Sequence, residues 1–192
     1  MADFDSHWVE RFHAIGRAQA RYLWVLLLAC LFYGALVKSD TGGGAALEVP
    51  VLGLKLDSGW VLASAGPVIS FLLLVILGAL RASSNVIAEL KLGAGNYSAE
   101  RLDAHPNAID LAVYTTKKSP RLVAAVAYFA YPLFLSGALF EAAWLTLSKG
   151  ASGPHPRILM AVSTVLWLPA FLQLVAMWWA RARNLPTVWK AQ

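Results

Sequence analysis

One cysteine, Cys30, stands in this chain of 192 residues, so no intrachain disulfide and no cysteine metal cluster can form. Charge is scarce: 14% of the residues are Asp, Glu, Lys or Arg, where a soluble domain carries about a quarter. The histidines, His7, His13, His105 and His155, offer no His-x-x-x-His spacing, and no metal site is expected from them. Ser83, Ser84, His105 and Asp110 supply the residue types of a hydrolytic triad, but no Gly-x-Ser-x-Gly is present, and a helix extension explains them better. Gly93-Ala94-Gly95 lacks the Lys-Ser/Thr that follows in a phosphate loop. No catalytic residue and no cofactor is implied, and the chain reads as non-enzymatic.

Long apolar runs are what the sequence does have. Hydrophobic residues make up 58% of it and gather in four stretches, at about 18–37, 60–80, 122–147 and 158–180. Each supplies the ~20 residues needed to cross ~30 Å of hydrocarbon, the first with Arg21 reaching back to the interface. The expected fold is an all-α membrane protein with four transmembrane helices in one domain covering residues 1–192. None of the runs reads as a removable signal peptide.

Basic residues set the expected orientation. Of sixteen Lys and Arg, twelve fall on one set of alternating segments. These are Arg11, Arg17 and Arg21, then Arg81, Lys91, Arg101, Lys117, Lys118 and Arg121, and last Arg181, Arg183 and Lys190. Lys38, Lys55, Lys149 and Arg157 fall on the other set. The positive-inside rule then places both termini and the second connection in the cytoplasm. Tyr22, Trp24, Trp178 and Trp179 would form the inner aromatic belt, and Trp60 and Trp144 the outer one. This asymmetry accounts for the net charge of +5 without a nucleic-acid partner. Asn96-Tyr97-Ser98 matches a glycosylation sequon, but on the cytoplasmic side the match is accidental.

Between the runs lie smaller features. Residues 4–20 read as an amphipathic helix with Phe4, Trp8, Phe12 and Ile15 on one narrow face, an interfacial or partner-binding surface. It either lies in the interface or extends the first span and packs on the cytoplasmic loop. Alternation at Val49 and Val51, and at Leu54 and Leu56, predicts a small external β-hairpin. Residues 81–121 are expected to form a short cytoplasmic helical loop: the second helix runs on to Leu92, Gly93–Asn96 stop it, and Pro106 opens another short helix. Pro67, Pro132 and Pro169 are expected to kink three spans, each removing one backbone donor inside the bilayer.

Several stretches resemble the four-helix membrane module of bacterial inner-membrane proteins of unclear function, some of which carry pentapeptide repeats. They are Glu10-Arg11-Phe12-His13-Ala14-Ile15-Gly16-Arg17, Val49-Pro50-Val51-Leu52-Gly53 leading to Gly66-Pro67, and His105-Pro106 through Tyr131-Pro132 to the loop around His155. The resemblance covers most of residues 8–185 and implies a bacterial inner membrane; it implies no activity. The chain departs from the repeat-bearing members in having no repeat domain through Gln192.

Among polar residues within the spans, Glu141 is the sharpest candidate, because an ionisable group at membrane depth is a functional hypothesis by default. It reads either as an interfacial carboxylate near Trp144 or as a group that takes a proton or cation, or pairs with Lys149 or Arg157. Gln173, Ser64 and Ser136 are the other candidate polar or pore-lining positions, read chiefly as packing and hydrogen-bonding residues. The expected function is that of a self-assembling component or an anchor for a membrane-protein partner in the bilayer. The alternative is a homo-oligomeric ion channel or pore-forming effector.

Overall fold

In the computed structural model, the described residues are 2–39, 46–49, 54–93, 121–150 and 155–190. They form α1 (Ala2–Ser39), β1 (Ala46–Val49), β2 (Leu54–Asp57), α2 (Ser58–Gly93), α3 (Arg121–Leu145), a π-helical turn (Thr146–Gly150) and α4 (Pro156–Lys190). Four helices are long and apolar enough to cross a membrane, with candidate spans at Glu10–Lys38, Gly59–Ser83, Phe129–Gly150 and Pro156–Ala180. The expected helix opened by Pro106, with the rest of residues 94–120, lies outside the described residues.

No break separates the amphipathic segment 4–20 from the first span; both belong to one 38-residue helix. The chain holds no proline before Pro50, so nothing in it removes a backbone donor or forces a turn. Phe12, Gly16 and Gln19 are buried, Leu23 is half-buried, Leu26 is buried, Cys30 is half-buried and Tyr33 is buried. These positions alternate by four and three, so one continuous stripe runs from the amphipathic segment through the span. Phe12 is 1% exposed, so its side chain belongs to the interior and is not offered to lipid or to a partner. Ile15 beside it is half-buried. The side chains of Phe4 and Trp8 lie outside the described residues.

The helix α2 ends at Gly93, a residue type suited to a helix C-terminus. α2, α3 and α4 each run unbroken through Pro67, Pro132 and Pro169. α3 does not stop before Ser148: a π-helical turn carries it on to Gly150. At the start of α4, the His155 carbonyl accepts from the Ile158 and Leu159 amides at 3.0 and 3.2 Å, and Pro156 stands where a missing donor costs nothing. β1 and β2 pair antiparallel, with Val49 opposite Leu54 and Ala46 opposite Asp57.

The chain packs as two compact units. One comprises Met1–Leu23, Val75–Phe134 and Val175–Gln192, and the other Trp24–Leu74 and Leu135–Leu174. All four helices contribute residues to both, so the division is not one between successive domains. Half of the apolar window of α2 is buried, against 17% of the windows of α1 and α4. The outer faces of α1 and α4 are correspondingly apolar: Trp24, Leu28, Leu31, Ile158, Val165 and Trp179 are all more than 60% exposed. Such surface is unfavourable in water and indifferent in hydrocarbon.

Candidate intramembrane polar site

In the unit Trp24–Leu74 with Leu135–Leu174, the candidate Glu141 lies on α3 and is half-buried. Its carboxylate is directed toward α1. One oxygen lies 4.0 Å from where a Cβ on Gly34 would stand, and the Cys30 thiol faces the same carboxylate closely enough to interact with it. Cys30 and Gly34 are one turn apart on α1, so a small side chain and a missing one make room for the acid. Sequence reading used Cys30 only to exclude a disulfide and a cysteine metal cluster and did not connect it with Glu141.

Just beyond α3, Thr146 of the π-helical turn belongs to a cluster of hydroxyls and small residues. Thr146 Oγ1 donates to the Ala142 carbonyl at 2.7 Å and shares a hydrogen bond of 2.6 Å with Ser163 Oγ on α4. Both side chains are buried. Gly66 on α2 sits directly against them: a Cβ there would overlap Thr146 Oγ1 and lie 3.1 Å from the Ala142 carbonyl oxygen. Pro67 leaves the Ala63 carbonyl without its usual donor, and that oxygen lies 4.0 Å from where a Cβ on Gly150 would stand. Close backbone approach through small residues, joined by hydroxyl hydrogen bonds, is how helices associate in the absence of a hydrophobic drive. Trp167 on α4 adds a bond from Nε1 to the Leu139 carbonyl at 3.1 Å and stacks on Phe171.

The remaining candidates have local roles or partners. Ser64 Oγ donates to the Val61 carbonyl of its own helix at 2.8 Å. Ser136 is half-buried and has a partner within the fold, and Gln173 is half-buried on α4. His155, exposed and with φ of 54°, sets its ring 5.9 Å from that of Trp60. Among the described residues, no group of three or more His, Cys, Asp or Glu could hold a metal ion.

The other unit contains a buried polar residue that sequence reading passed over. Gln19 is fully buried; its Nε2 donates to Tyr131 Oη at 2.9 Å, and its Oε1 has no partner. The signal was available in the spacing, since Gln19 falls in the buried stripe of α1. Its partner, 112 residues away, had no such signal. Ser83 of the same unit, and Ser70 of the unit described before it, are also buried with unpartnered hydroxyl oxygens.

No family model, curated protein or solved structure matches this chain.

Proposed function

We propose that the chain is a non-enzymatic multi-pass inner-membrane protein, with both termini cytoplasmic, that assembles with copies of itself or anchors a membrane partner. The observation that carries this reading is a contrast within the fold. The Gly66–Thr146–Ser163 contact is buried and closely packed, while α1 and α4 turn broad apolar faces outward. Close packing held by hydroxyl hydrogen bonds suits a structural role, and the exposed helices offer surface to lipid and to other spans. The basic asymmetry supports the orientation, and the resemblance to a bacterial membrane module supports the inner membrane.

Orientation is tested by labelling in intact cells. With Cys30 replaced by alanine, single cysteines at positions 41 and 152 are expected to react with an impermeant thiol reagent, and one at position 96 to remain unlabelled until the cells are opened. Labelling at position 96 alone reverses the topology. Association is tested by native mass spectrometry from nanodiscs: a defined oligomer or a stoichiometric co-purifying protein is expected, and a bare monomer under all conditions sinks the assembly reading.

One feature favours the pore as a second reading, namely the half-buried Glu141 at membrane depth. Its test is the replacement Glu141→Gln, which keeps the shape of the side chain and removes the charge. Because the carboxylate packs against Cys30 and Gly34, planar-bilayer recordings are expected to show no cation current from either protein. A current in the unmodified protein that Glu141→Gln abolishes establishes the pore, since a ring of charge sets selectivity at close range.

A further inference from the structure

Four side chains with polar atoms lie on α4 from Ser163 to Gln173, and the fold satisfies three of them. Ser163 Oγ shares its hydrogen bond with Thr146, and Trp167 Nε1 donates to the Leu139 carbonyl. Thr164 is exposed, yet its Oγ1 donates to the Met160 carbonyl of its own helix at 2.8 Å. Gln173 is the fourth. Its carboxamide has no hydrogen-bond partner among the described residues, and it is half-buried, so part of it reaches the surface. It stands seven residues before Ala180, where the candidate span ends, about 10 Å along the axis. Helical side chains tilt toward the N terminus, which here means deeper into the span and away from that end. An amide left unpaired at such depth is costly, because hydrocarbon supplies neither donor nor acceptor.

A second unsatisfied group lies on the same edge of the helix. Pro169, one turn before Gln173, is exposed and has no amide to give to the Val165 carbonyl. Val165 is itself 71% exposed. Val165, Pro169 and Gln173 follow at intervals of four and form one ridge. Val162, Leu166, Pro169 and Gln173 follow at four, three and four, the spacing of a seam between two helices. Val162 and Pro169 are exposed and Leu166 and Gln173 half-buried, so this seam runs along an open border of α4.

We infer that this edge of α4 is the contact between two copies of the chain, with Gln173 paired to Gln173 of the second copy. Copies inserted in the same direction bring α4 to α4 in parallel about a two-fold axis along the membrane normal, and each residue of the seam then meets its own counterpart. A carboxamide is both donor and acceptor, so it is self-complementary across such an axis. Its remaining donor is directed back toward Pro169 and the freed Val165 carbonyl. One polar residue in an otherwise apolar seam also fixes the register of the pair. The inference rests on the assembly reading above and specifies the partner and the face.

The test uses the full chain, with the monomer–dimer balance followed by native mass spectrometry from micelles over a dilution series. Gln173→Leu is expected to weaken the dimer about tenfold. Gln173→Asn, which keeps the carboxamide, is expected to retain most of the association, and Thr164→Val, which removes a hydroxyl satisfied within its own helix, to leave it unchanged. With Cys30 replaced by alanine, Val162→Cys is expected to form a disulfide between copies under mild oxidation of membranes. Leu168→Cys is not, although the two positions are 44% and 49% exposed. A dimer indifferent to Gln173→Leu, or cross-linked as readily through Leu168→Cys as through Val162→Cys, overturns this interface and leaves the assembly reading standing. A different protein held through Gln173 overturns the second copy as its occupant. A bare monomer with no co-purifying protein sinks the assembly reading, and this interface with it.

Discussion

Gly66→Ala is expected to destabilise the fold by about 1–3 kcal/mol although it adds only a methyl group. The new Cβ would overlap Thr146 Oγ1 and press on the Ala142 carbonyl at 3.1 Å. Thr146 is not free to swing aside, because its hydroxyl is committed to both Ala142 and Ser163. Relief requires either parting α2 from α3 or breaking those bonds, and a buried hydroxyl left unpaired costs about 1–3 kcal/mol. Gly78 on the same helix is the control: nothing lies within 4 Å of its would-be Cβ, so Gly78→Ala is expected to be neutral or slightly stabilising. Adding Thr146→Ala to Gly66→Ala removes the clashing oxygen and is expected to restore part of the loss, a coupling that a double-mutant cycle of thermal unfolding in detergent measures. Equal melting of Gly66→Ala and Gly78→Ala would falsify the close approach of α2 and α3.

Phe12→Ala is expected to cost about 3–5 kcal/mol, the usual range for removing a buried aromatic ring. The ring is 1% exposed and belongs to the buried stripe that continues through Gly16, Gln19 and Leu26. From sequence alone, Phe12 stood on a face that either lay in the interface or, with the first span extended, packed on the cytoplasmic loop; on the first of these its replacement should weaken association and leave the fold intact. The buried ring in one continuous helix agrees with the extension: the melting temperature should fall while membrane insertion, which depends on the apolar runs, persists. Measuring insertion and thermal unfolding on the same variant separates the two. Unchanged melting with weakened association would return Phe12 to the partner face.

How much was legible in advance depended on the range of each interaction. Read by polarity, the amphipathic segment either lay in the interface or extended the first span, and the four-three spacing through Phe12, Gly16, Gln19, Leu23, Leu26, Cys30 and Tyr33 crosses the junction in phase. That phase, followed past Arg21, decides between the two in favour of a single helix. Glu141 was identified because an acid in an apolar run is locally conspicuous. That it would face Cys30 and Gly34 was not readable, since no local pattern relates residues more than a hundred positions apart.

The sequence by itself determined four runs long and apolar enough to cross a membrane, their approximate limits and the basic asymmetry, because transfer into hydrocarbon is a sum over neighbouring residues and needs no knowledge of the fold. Tertiary structure alone decided which polar groups met. Thr146 found Ser163 and Gly66, Gln19 found Tyr131, and Glu141 turned to α1. In a medium where every span is equally apolar, burial does not choose a helix's neighbours. The choice falls to small residues that allow close approach and to hydrogen bonds with no water to replace them, and both exist only once the helices are side by side.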